Sequence, residues 1–216
     1  TTFDDVSRYL VTFDVPEPLR ETYAFTQGQY LTLRKTIEGQ DLRRSYSICA
    51  GVDDGELRVG VRKVKGGVFS NWINEALQPG DHIAVMAPQG RFFVPLDAAA
   101  HRHHVGIAGG SGITPILSIM KTVLVREPAS RFTLIYGNRR LQSTMFKEEL
   151  EDLKNRTMDN VLFAFALEPK KLRTMMDELD SLPAEQAQEL DAAVARLEQN
   201  RIGVIVGRDR LKSLGK

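Results

Sequence analysis

The first half of the chain alternates short apolar runs with Gly, Pro and Asp. Between Tyr9 and Pro95, β-branched and aromatic residues occur in runs such as YLVTFDV, QYLTLRKTI, SYSICAG, ELRVGVRKV and HIAVMAP. Runs of this length are typical of short strands, and many strands with few helices predict a small antiparallel barrel. One segment, GGVFSNWINEAL at residues 66–77, spaces its apolar residues like one face of a helix. We therefore expect a short helix between two of the strands.

The second half changes to a rhythm of apolar strand followed by helix. The pattern occurs four times, as HHVGIAGG then ITPILSIMKTVLVRE, RFTLIYGN then STMFKEELEDLK, NVLFAFAL then a long charged stretch, and RIGVIVG then RDRLKSLG. Four such units in succession predict a Rossmann-like parallel sheet with helices on its faces. Within the charged stretch, Pro183 divides residues 170–199 into two expected helices. We place a β domain at residues 1–98 and an α/β domain at residues 99–216, of which 167–216 are atypical.

Composition and charge narrow the class of protein. The apolar share of 42%, the charged share of 26% and the net charge of +1 are close to globular averages and argue against a dedicated nucleic-acid binder. A single cysteine, Cys49, excludes an internal disulfide and a cysteine-held iron–sulfur centre within this chain. No apolar run approaches about 18 residues and no leader pattern is visible, so we predict a cytoplasmic protein without membrane contact. His101, His103 and His104 have no evident carboxylate or thiol partner, and no metal site is predicted.

Three motifs could hold a ligand. In VGIAGGSGITPI, residues 105–116, a strand runs into glycines that let the backbone approach a phosphate, and the following helix start favours an anion. We expect Thr114, before Pro115, to aim its hydroxyl into the mouth of the sheet. RRSYS at residues 43–47 offers a guanidinium, an aromatic face and a hydroxyl, and KGGVFS at residues 65–70 offers free amides at a helix start. Taken singly, each also fits a structural role: a packing turn, a solvated edge strand or a helix cap.

The order of these motifs is more specific than any one of them. R-x-Y-S, then G-G-x-x-S, then A-G-G-S-G-I-T-P, then Y-G-N-R resemble the ferredoxin-NADP reductase superfamily over residues 8–166. Within it, the chain is similar to the oxygenase reductases, such as the reductase component of phenylacetyl-CoA epoxidase. The resemblance implies an FAD-binding barrel followed by an NAD(P)H-binding domain. It also implies that electrons pass from NADPH or NADH through FAD to a separate ferredoxin or oxygenase component.

The resemblance assigns roles to individual residues. Tyr46 would pack on the isoalloxazine ring, Ser47 would lie near flavin N5, and Thr114 would line the nicotinamide cleft. Two adjacent arginines after the second parallel strand would meet the adenosine end and favour NADPH over NADH. The other implied contacts are Arg44, Val61, Lys63, Gly66, Gly67 and Ser70 toward FAD, and Gly109, Gly110, Gly112, Arg139 and Arg140 toward the nicotinamide dinucleotide.

The chain also departs from the family pattern. The family's first barrel strand would precede YLVTFDV, where only eight residues remain, and its C-G-P-x-x-M motif is replaced by VGRDRL at residues 206–211. No plant-type ferredoxin domain follows before Lys216, so either the acceptor is a separate protein or the chain is truncated. Two alternatives therefore stay open beside the reductase: a free-flavin reductase, and a catalytically inactive flavoprotein that serves as a docking module.

Overall fold

The computed structural model describes residues 8–138, 144–157, 160–166 and 204–207. Each segment that the sequence predicts as a strand or helix within these ranges corresponds to one strand or helix of the structure. The two helices expected within residues 170–199 lie outside the described residues. In chain order the elements are β1 (Arg8–Phe13), β2 (Tyr30–Ile37), β3 (Gln40–Ser47), β4 (Leu57–Arg62), α1 (Val68–Glu75), β5 (Ala84–Val85), β6 (His103–Gly109), α2 (Ile113–Arg126), β7 (Arg131–Gly137), α3 (Lys147–Arg156), β8 (Val161–Ala166) and β9 (Val204–Gly207).

The first half of the chain folds into two antiparallel sheets that share one core. One sheet pairs β1 with β4, and the other has the order β3-β2-β5. An isolated bridge between Ile48 and Val59 joins the end of β3 to β4. Successive side chains of a strand point to opposite faces, so alternate residues of both sheets meet one face of α1. Buried members of this first core include Leu31, Leu33, Val59, Val61, Phe69 and Ile73.

These strands form an open arc. β1 pairs only with β4 and β5 pairs only with β2, so the described strands leave a gap between β1 and β5. β5 contains only Ala84 and Val85, which limits the backbone hydrogen bonds it can offer. A groove of about 670 Å³ opens in the gap and is lined by β1 and by residues 77–83. The predicted antiparallel domain is confirmed, but within the described residues its strands do not close into a barrel.

The second half forms a sheet with the order β8-β7-β6-β9. β6, β7 and β8 are parallel, and Gly109, Gly137 and Ala166 form the last row of this register. β7 is buried on both faces from Phe132 to Tyr136, as parallel strands covered by helices are. The predicted parallel α/β arrangement is confirmed for these three strands. α2 covers the sheet with buried residues that include Ile113, Ile116, Leu117, Met120 and Val123.

The last strand corrects the prediction of a fourth parallel unit. β9 pairs antiparallel with β6, and Gly207 lies beside His104. An apolar run of four residues can be buried in either direction, and an antiparallel edge strand on a parallel sheet is common. Its direction depends on the connection through residues 167–203, whose path the sequence pattern does not define. Gly207 therefore lies beside the amino end of β6, at the opposite edge of the sheet from Gly109, which ends that strand.

One face of α2 attaches the second half of the chain to the first. Ser118, Thr122 and Arg126 follow one another at intervals of four residues, so they lie along a single side of the helix. A one-turn shift of the helix would break all three of their contacts together. Their partners in the first half are the amide of Gly28 at 3.3 Å, the amide of Val52 at 3.1 Å and the carboxylate of Asp53 at 2.9 Å.

A buried carboxylate anchors the segment that connects the two halves. Glu127 directly follows α2 and is fully buried. It accepts hydrogen bonds from the Asp97 amide at 3.0 Å, Arg102 at 3.1 Å, His104 at 2.9 Å and Ser130 at 2.8 Å. Burial alone would raise the pKa of Glu127, but hydrogen bonds from His104 and Ser130 outweigh it, and the pKa lies below its ordinary value of 4.5. The charged carboxylate holds the connecting segment against the second half.

The described residues can also be examined for a membrane-spanning helix and for a metal site. None of the described helices is long and apolar enough to cross a lipid bilayer. Within the same residues, no group of three or more His, Cys, Asp and Glu side chains is arranged to hold a metal ion. His104 is bonded to Glu127, and Nε2 of His103 lies 2.7 Å from the hydroxyl of Thr133.

Candidate active site

Two of the three motifs meet where β3 ends and α1 begins. The ring of Tyr46 is half-buried, and its centroid lies 6.2 Å from that of Phe69 in the first turn of α1. Burial raises the pKa of the Tyr46 hydroxyl above its ordinary value, and the positive charge of Arg44 offsets part of this rise. The R-x-Y-S strand and the G-G-x-x-S helix start therefore border the same region of the first domain.

Arg44 and Ser47 flank Tyr46 in this region. Arg44 is exposed, and its guanidinium donates a 2.7 Å hydrogen bond to the carbonyl of Arg43. Among the described carboxylates, none forms an ion pair with Arg44. Ser47 is half-buried and lies opposite Tyr30 in the ladder between β2 and β3. A guanidinium without a carboxylate partner, next to an aromatic ring, offers paired donors for a phosphate.

The start of α1 is suited to an anion. Gly66 has a φ of +75°, a left-handed conformation that favours glycine, and a Cβ there would meet no atom within 4 Å. α1 begins at Val68 without a side-chain cap, which leaves its first amides available to a ligand. The buried hydroxyl of Ser70 instead accepts from the Val64 amide and donates to the Gly67 carbonyl, each at 3.2 Å. Ser70 thus shapes the turn, and the backbone provides the donors.

The two predicted residues of the β4 strand end have different surroundings. Val61 is fully buried in the first core, so only its backbone can face a ligand. Lys63, just after β4, forms a 2.5 Å ion pair with Glu75 of α1. The ammonium group therefore ties the end of β4 to the helix.

β4 also carries the contact that brings the two domains together at the site. A Cβ on Gly60 would lie 3.0 Å from Cγ2 of Thr114 and 2.9 Å from Cζ of Phe146. Contacts this short show that only a glycine fits here without a shift of those side chains. Arg62, two residues further along β4, lies beside Gly110. A Cβ built on Gly110 would be 3.5 Å from Nη1 of Arg62. β4 and the Gly-rich loop (residues 109–112) therefore lie on opposite sides of the domain boundary, where we expect the ligand crevice.

The Gly-rich loop is held in place by hydrogen bonds of two side chains, Tyr136 in β7 and Thr114 in the first turn of α2. The hydroxyl of Tyr136 donates to the Gly110 carbonyl at 2.9 Å and accepts from the Met145 amide at 3.1 Å. The hydroxyl of Thr114 donates to the Ser111 carbonyl at 3.0 Å, a local bond typical of Thr near a helix start. The structure therefore uses the hydroxyl hydrogen of Thr114 to close the loop, whereas the sequence predicted a hydroxyl aimed into the mouth of the sheet.

Four predicted residues complete the nucleotide side. Gly109 ends β6 and Gly112 is the N-cap residue of α2, so both belong to the loop. Arg139 and Arg140 lie outside the described residues, and their contact with the adenosine end stays a prediction.

Cys49, expected to be a core residue, is fully buried, and burial raises the pKa of its thiol to about 12.

Comparisons with known proteins agree with this geometry. Residues 4–94 match the family described as oxidoreductase FAD-binding domain, and residues 107–200 match the oxidoreductase NAD-binding domain. The fold is shared with the ferredoxin-NADP+ reductase from Plasmodium falciparum with 2'P-AMP, which is 19% identical, with a TM-score of 0.66 over 93% of this chain and 79% of that one. The chain belongs to the oxidoreductases that join an FAD-binding domain to an NAD-binding domain. The family and the two cofactor classes predicted from the motif order, FAD and a nicotinamide dinucleotide, are confirmed.

Two curated relatives of this oxidoreductase are similar to it over most of its length. It is 48% identical over 146 residues to one subunit of the 1,2-phenylacetyl-CoA epoxidase of Escherichia coli (strain K12), covering 68% of this chain and 41% of that protein. It is 37% identical over 157 residues to the 3-ketosteroid-9-alpha-monooxygenase, ferredoxin reductase component, of Mycobacterium tuberculosis (strain CDC 1551 / Oshkosh), covering 72% and 43%. The chain spans less than half the length of either relative.

Three residues of this oxidoreductase were not singled out from the sequence. Gly60 lies within a strand, Arg62 lies at a strand end, and Asn138 follows another strand end. Gly60 and Arg62 belong to no motif, and although Asn138 lies within Y-G-N-R, the motif alone gives its side chain no role. Their significance comes from contacts across the domain boundary or, for Asn138, from burial without a described partner. Only a three-dimensional structure could reveal either feature.

Proposed function

We propose that this chain is the flavin- and nicotinamide-binding part of an oxygenase reductase. In this reaction a hydride passes from NADPH or NADH to bound FAD, and electrons then pass to a separate ferredoxin or oxygenase component. The proposal is carried by the contact of β4 with the nucleotide side: Gly60 packs against Thr114 and Arg62 lies beside Gly110, and β4 leads directly into the G-G-x-x-S motif. The relative described as the ferredoxin reductase component of a monooxygenase supports the same class. The cytoplasmic location stays a prediction from the sequence.

The chemistry of the donors fits FAD on the side of the first domain. The amides at the start of α1 and the guanidinium of Arg44 would hold the phosphates, since both are donors without a carboxylate competitor in the described part of the chain. The half-buried ring of Tyr46 would cover one face of the flavin ring, with Ser47 beside it. Bound FAD would supply the redox chemistry, and these residues would fix its position.

The Gly-rich loop would hold the nicotinamide dinucleotide against that flavin. Gly110 lets the backbone come close to the ligand, and Tyr136 keeps its carbonyl in place. Arg62 brings a positive charge to the same loop, where the pyrophosphate would lie. The close contact between Gly60 and Thr114 leaves little room for water between the domains. The chain would thus align the reacting rings and exclude solvent, which is the protein's main contribution to hydride transfer.

One observation favours a second candidate, the catalytically inactive docking module. Because β9 runs antiparallel to β6, Gly207 lies beside His104, at the sheet edge opposite the Gly-rich loop. Val206 and Gly207, the first residues of the VGRDRL motif, therefore lie at the edge opposite the one where the family's C-G-P motif lies beside the nicotinamide. A chain without that contribution could still hold FAD through α1 and β3 while failing to accept a hydride.

The visible spectrum of the dialysed protein, before and after anaerobic addition of NADPH and then NADH, tests the proposal. Persistence of the flavin absorption after dialysis, followed by bleaching with either nucleotide, is the expected result. A protein that loses its flavin on dialysis yet reduces added flavin would be a free-flavin reductase. A yellow protein that neither nucleotide bleaches would be the docking module. A colourless protein that takes up no added FAD would refute the assignment.

A further inference from the structure

A buried amide at the edge of the nucleotide domain has no described partner. Asn138 directly follows β7, and its side chain is about nine-tenths buried, with a relative exposure of 9%. Neither its Nδ2 nor its Oδ1 forms a hydrogen bond with any group in the part of the chain that the structure describes. A primary amide can donate twice and accept twice, so all of this capacity is unused.

An unused amide of this kind lowers stability. Each buried polar group left without a partner forfeits the hydrogen bonds that it makes with water in the unfolded chain. An apolar side chain of similar size would therefore serve the fold better than Asn138. Groups that are unfavourable for the fold and lie near a ligand cleft are typical of binding sites, where the ligand completes the hydrogen bonds.

The register places Asn138 beside the Gly-rich loop. Gly137 pairs with Gly109 in the parallel ladder, so the next residues along the two chains, Asn138 and Gly110, leave the sheet at the same edge. This is the carboxyl edge of the parallel strands, where folds of this type bind ligands. The hydroxyl of Tyr136, two residues before Asn138, already holds the Gly110 carbonyl.

We propose that the Asn138 side chain binds a donor–acceptor edge of the nicotinamide dinucleotide, either the nicotinamide carboxamide or the adenine. This inference rests on the proposed function. Both amide atoms lack a hydrogen-bond partner in the described part of the chain, and a planar group with one donor and one acceptor satisfies both at once, as adenine does with Asn. A phosphate only accepts, so it would leave Oδ1 unpaired. The atoms are shielded in the ligand-free chain, so the side chain turns or its neighbours shift when the substrate binds.

Asn138→Leu tests this inference, because leucine removes both polar atoms at nearly constant volume. Binding of NADP+ and NAD+ to the FAD-loaded chain is measured by calorimetry, and the unfolding midpoint is measured on the same samples. We expect roughly 10- to 100-fold weaker binding, the effect of losing one or two hydrogen bonds, with no fall in the unfolding midpoint. Asn160→Leu is the matched control: it lies just before β8, at the opposite sheet edge, and its amide donates to the Pro128 carbonyl at 3.2 Å. Its nucleotide binding should be unchanged.

Nicotinamide mononucleotide and AMP, used as separate probes, identify the bound edge. A loss confined to one of them supports the inference and names the carboxamide or the adenine. Equal loss for both, or Asn138→Leu binding as tightly as the wild type, would overturn it. If leucine prevents folding, Asn138→Ala removes the same atoms without added bulk and should show the same loss. A wild-type chain that binds no nucleotide would refute the proposed function, a result distinct from a variant without effect.

Discussion

Replacing Gly66 with alanine separates the conformational role of this residue from its proposed role in phosphate binding. Gly66 has a φ of +75°, and the space that an alanine methyl would occupy there is open, with no atom within 4 Å. An L-residue in this conformation costs about 1–2 kcal/mol, and the smaller entropy of an unfolded alanine chain offsets roughly 0.4–1 kcal/mol of it. The expected fall in the free energy of unfolding is therefore about 1 kcal/mol.

Gly55→Ala is the matched control for this change. Gly55 has a φ of +73° and equally open surroundings, but it lies in the turn between β3 and β4, outside the three motifs. Both variants should lose the same stability in urea denaturation. Only the methyl at Gly66 would meet a phosphate bound at the start of α1, and pushing that phosphate away should weaken FAD binding at least about tenfold. Titration of each apoprotein with FAD, followed by flavin fluorescence, measures this. Equal FAD affinities in the two variants would refute the placement of the pyrophosphate.

Other predictions concern the buried groups. Glu127→Gln should lower the free energy of unfolding by about 3 kcal/mol at pH 7 in urea denaturation, because a buried charge network loses its anion; Asp41→Asn, in the exposed pair with Arg34, should change it little. Because the folded pKa of Glu127 lies below 4.5, its contribution is complete above about pH 4.5 and is lost as pH falls through the folded value. The gap between wild type and Glu127→Gln should therefore close in acid, and a constant gap would contradict this. Cys49, with its pKa raised to about 12, should resist iodoacetamide at pH 8 until the chain is unfolded; rapid labelling of the native protein would show that it is accessible.

Local patterns in the sequence were sufficient to predict the strands, helices and turns that depend mainly on their own residues. The runs QYLTLRKTI and RFTLIYGN predicted strands, and the structure has β2 and β7 at these positions. The glycines before α2 predicted a sharp turn, and Gly110 adopts a positive φ there. The order of motifs was sufficient for the family, because each motif occupies a defined place between strand and helix.

Two kinds of feature could not be predicted in the same way: those that depend on distant residues, and local hydrogen bonds that a motif does not specify. The direction of β9 depends on the connection through residues 167–203, and no pattern in the sequence sets the direction in which that connection returns to the sheet. The hydroxyls of Ser70 and Thr114 were assigned to ligands, yet each finds a backbone carbonyl within its own turn. Short-range bonds of this kind compete with ligand contacts and leave the sequence motif unchanged. The role of Gly60 appears only when a second domain is packed against it.

The way the domains are joined bears on how the proposed reaction would proceed. Hydride transfer needs the two reacting atoms about 3–3.5 Å apart, and errors near 1 Å are costly. In this chain the spacing across the crevice is constrained at both ends of α2. Thr114 meets Gly60 at the first turn, and Arg126 pairs with Asp53 at the last. A rigid helix fixed at both ends resists hinge opening more than a single flexible linker would. We therefore expect the nicotinamide to enter a crevice of nearly constant width, with local side-chain movements rather than closure of one domain onto the other.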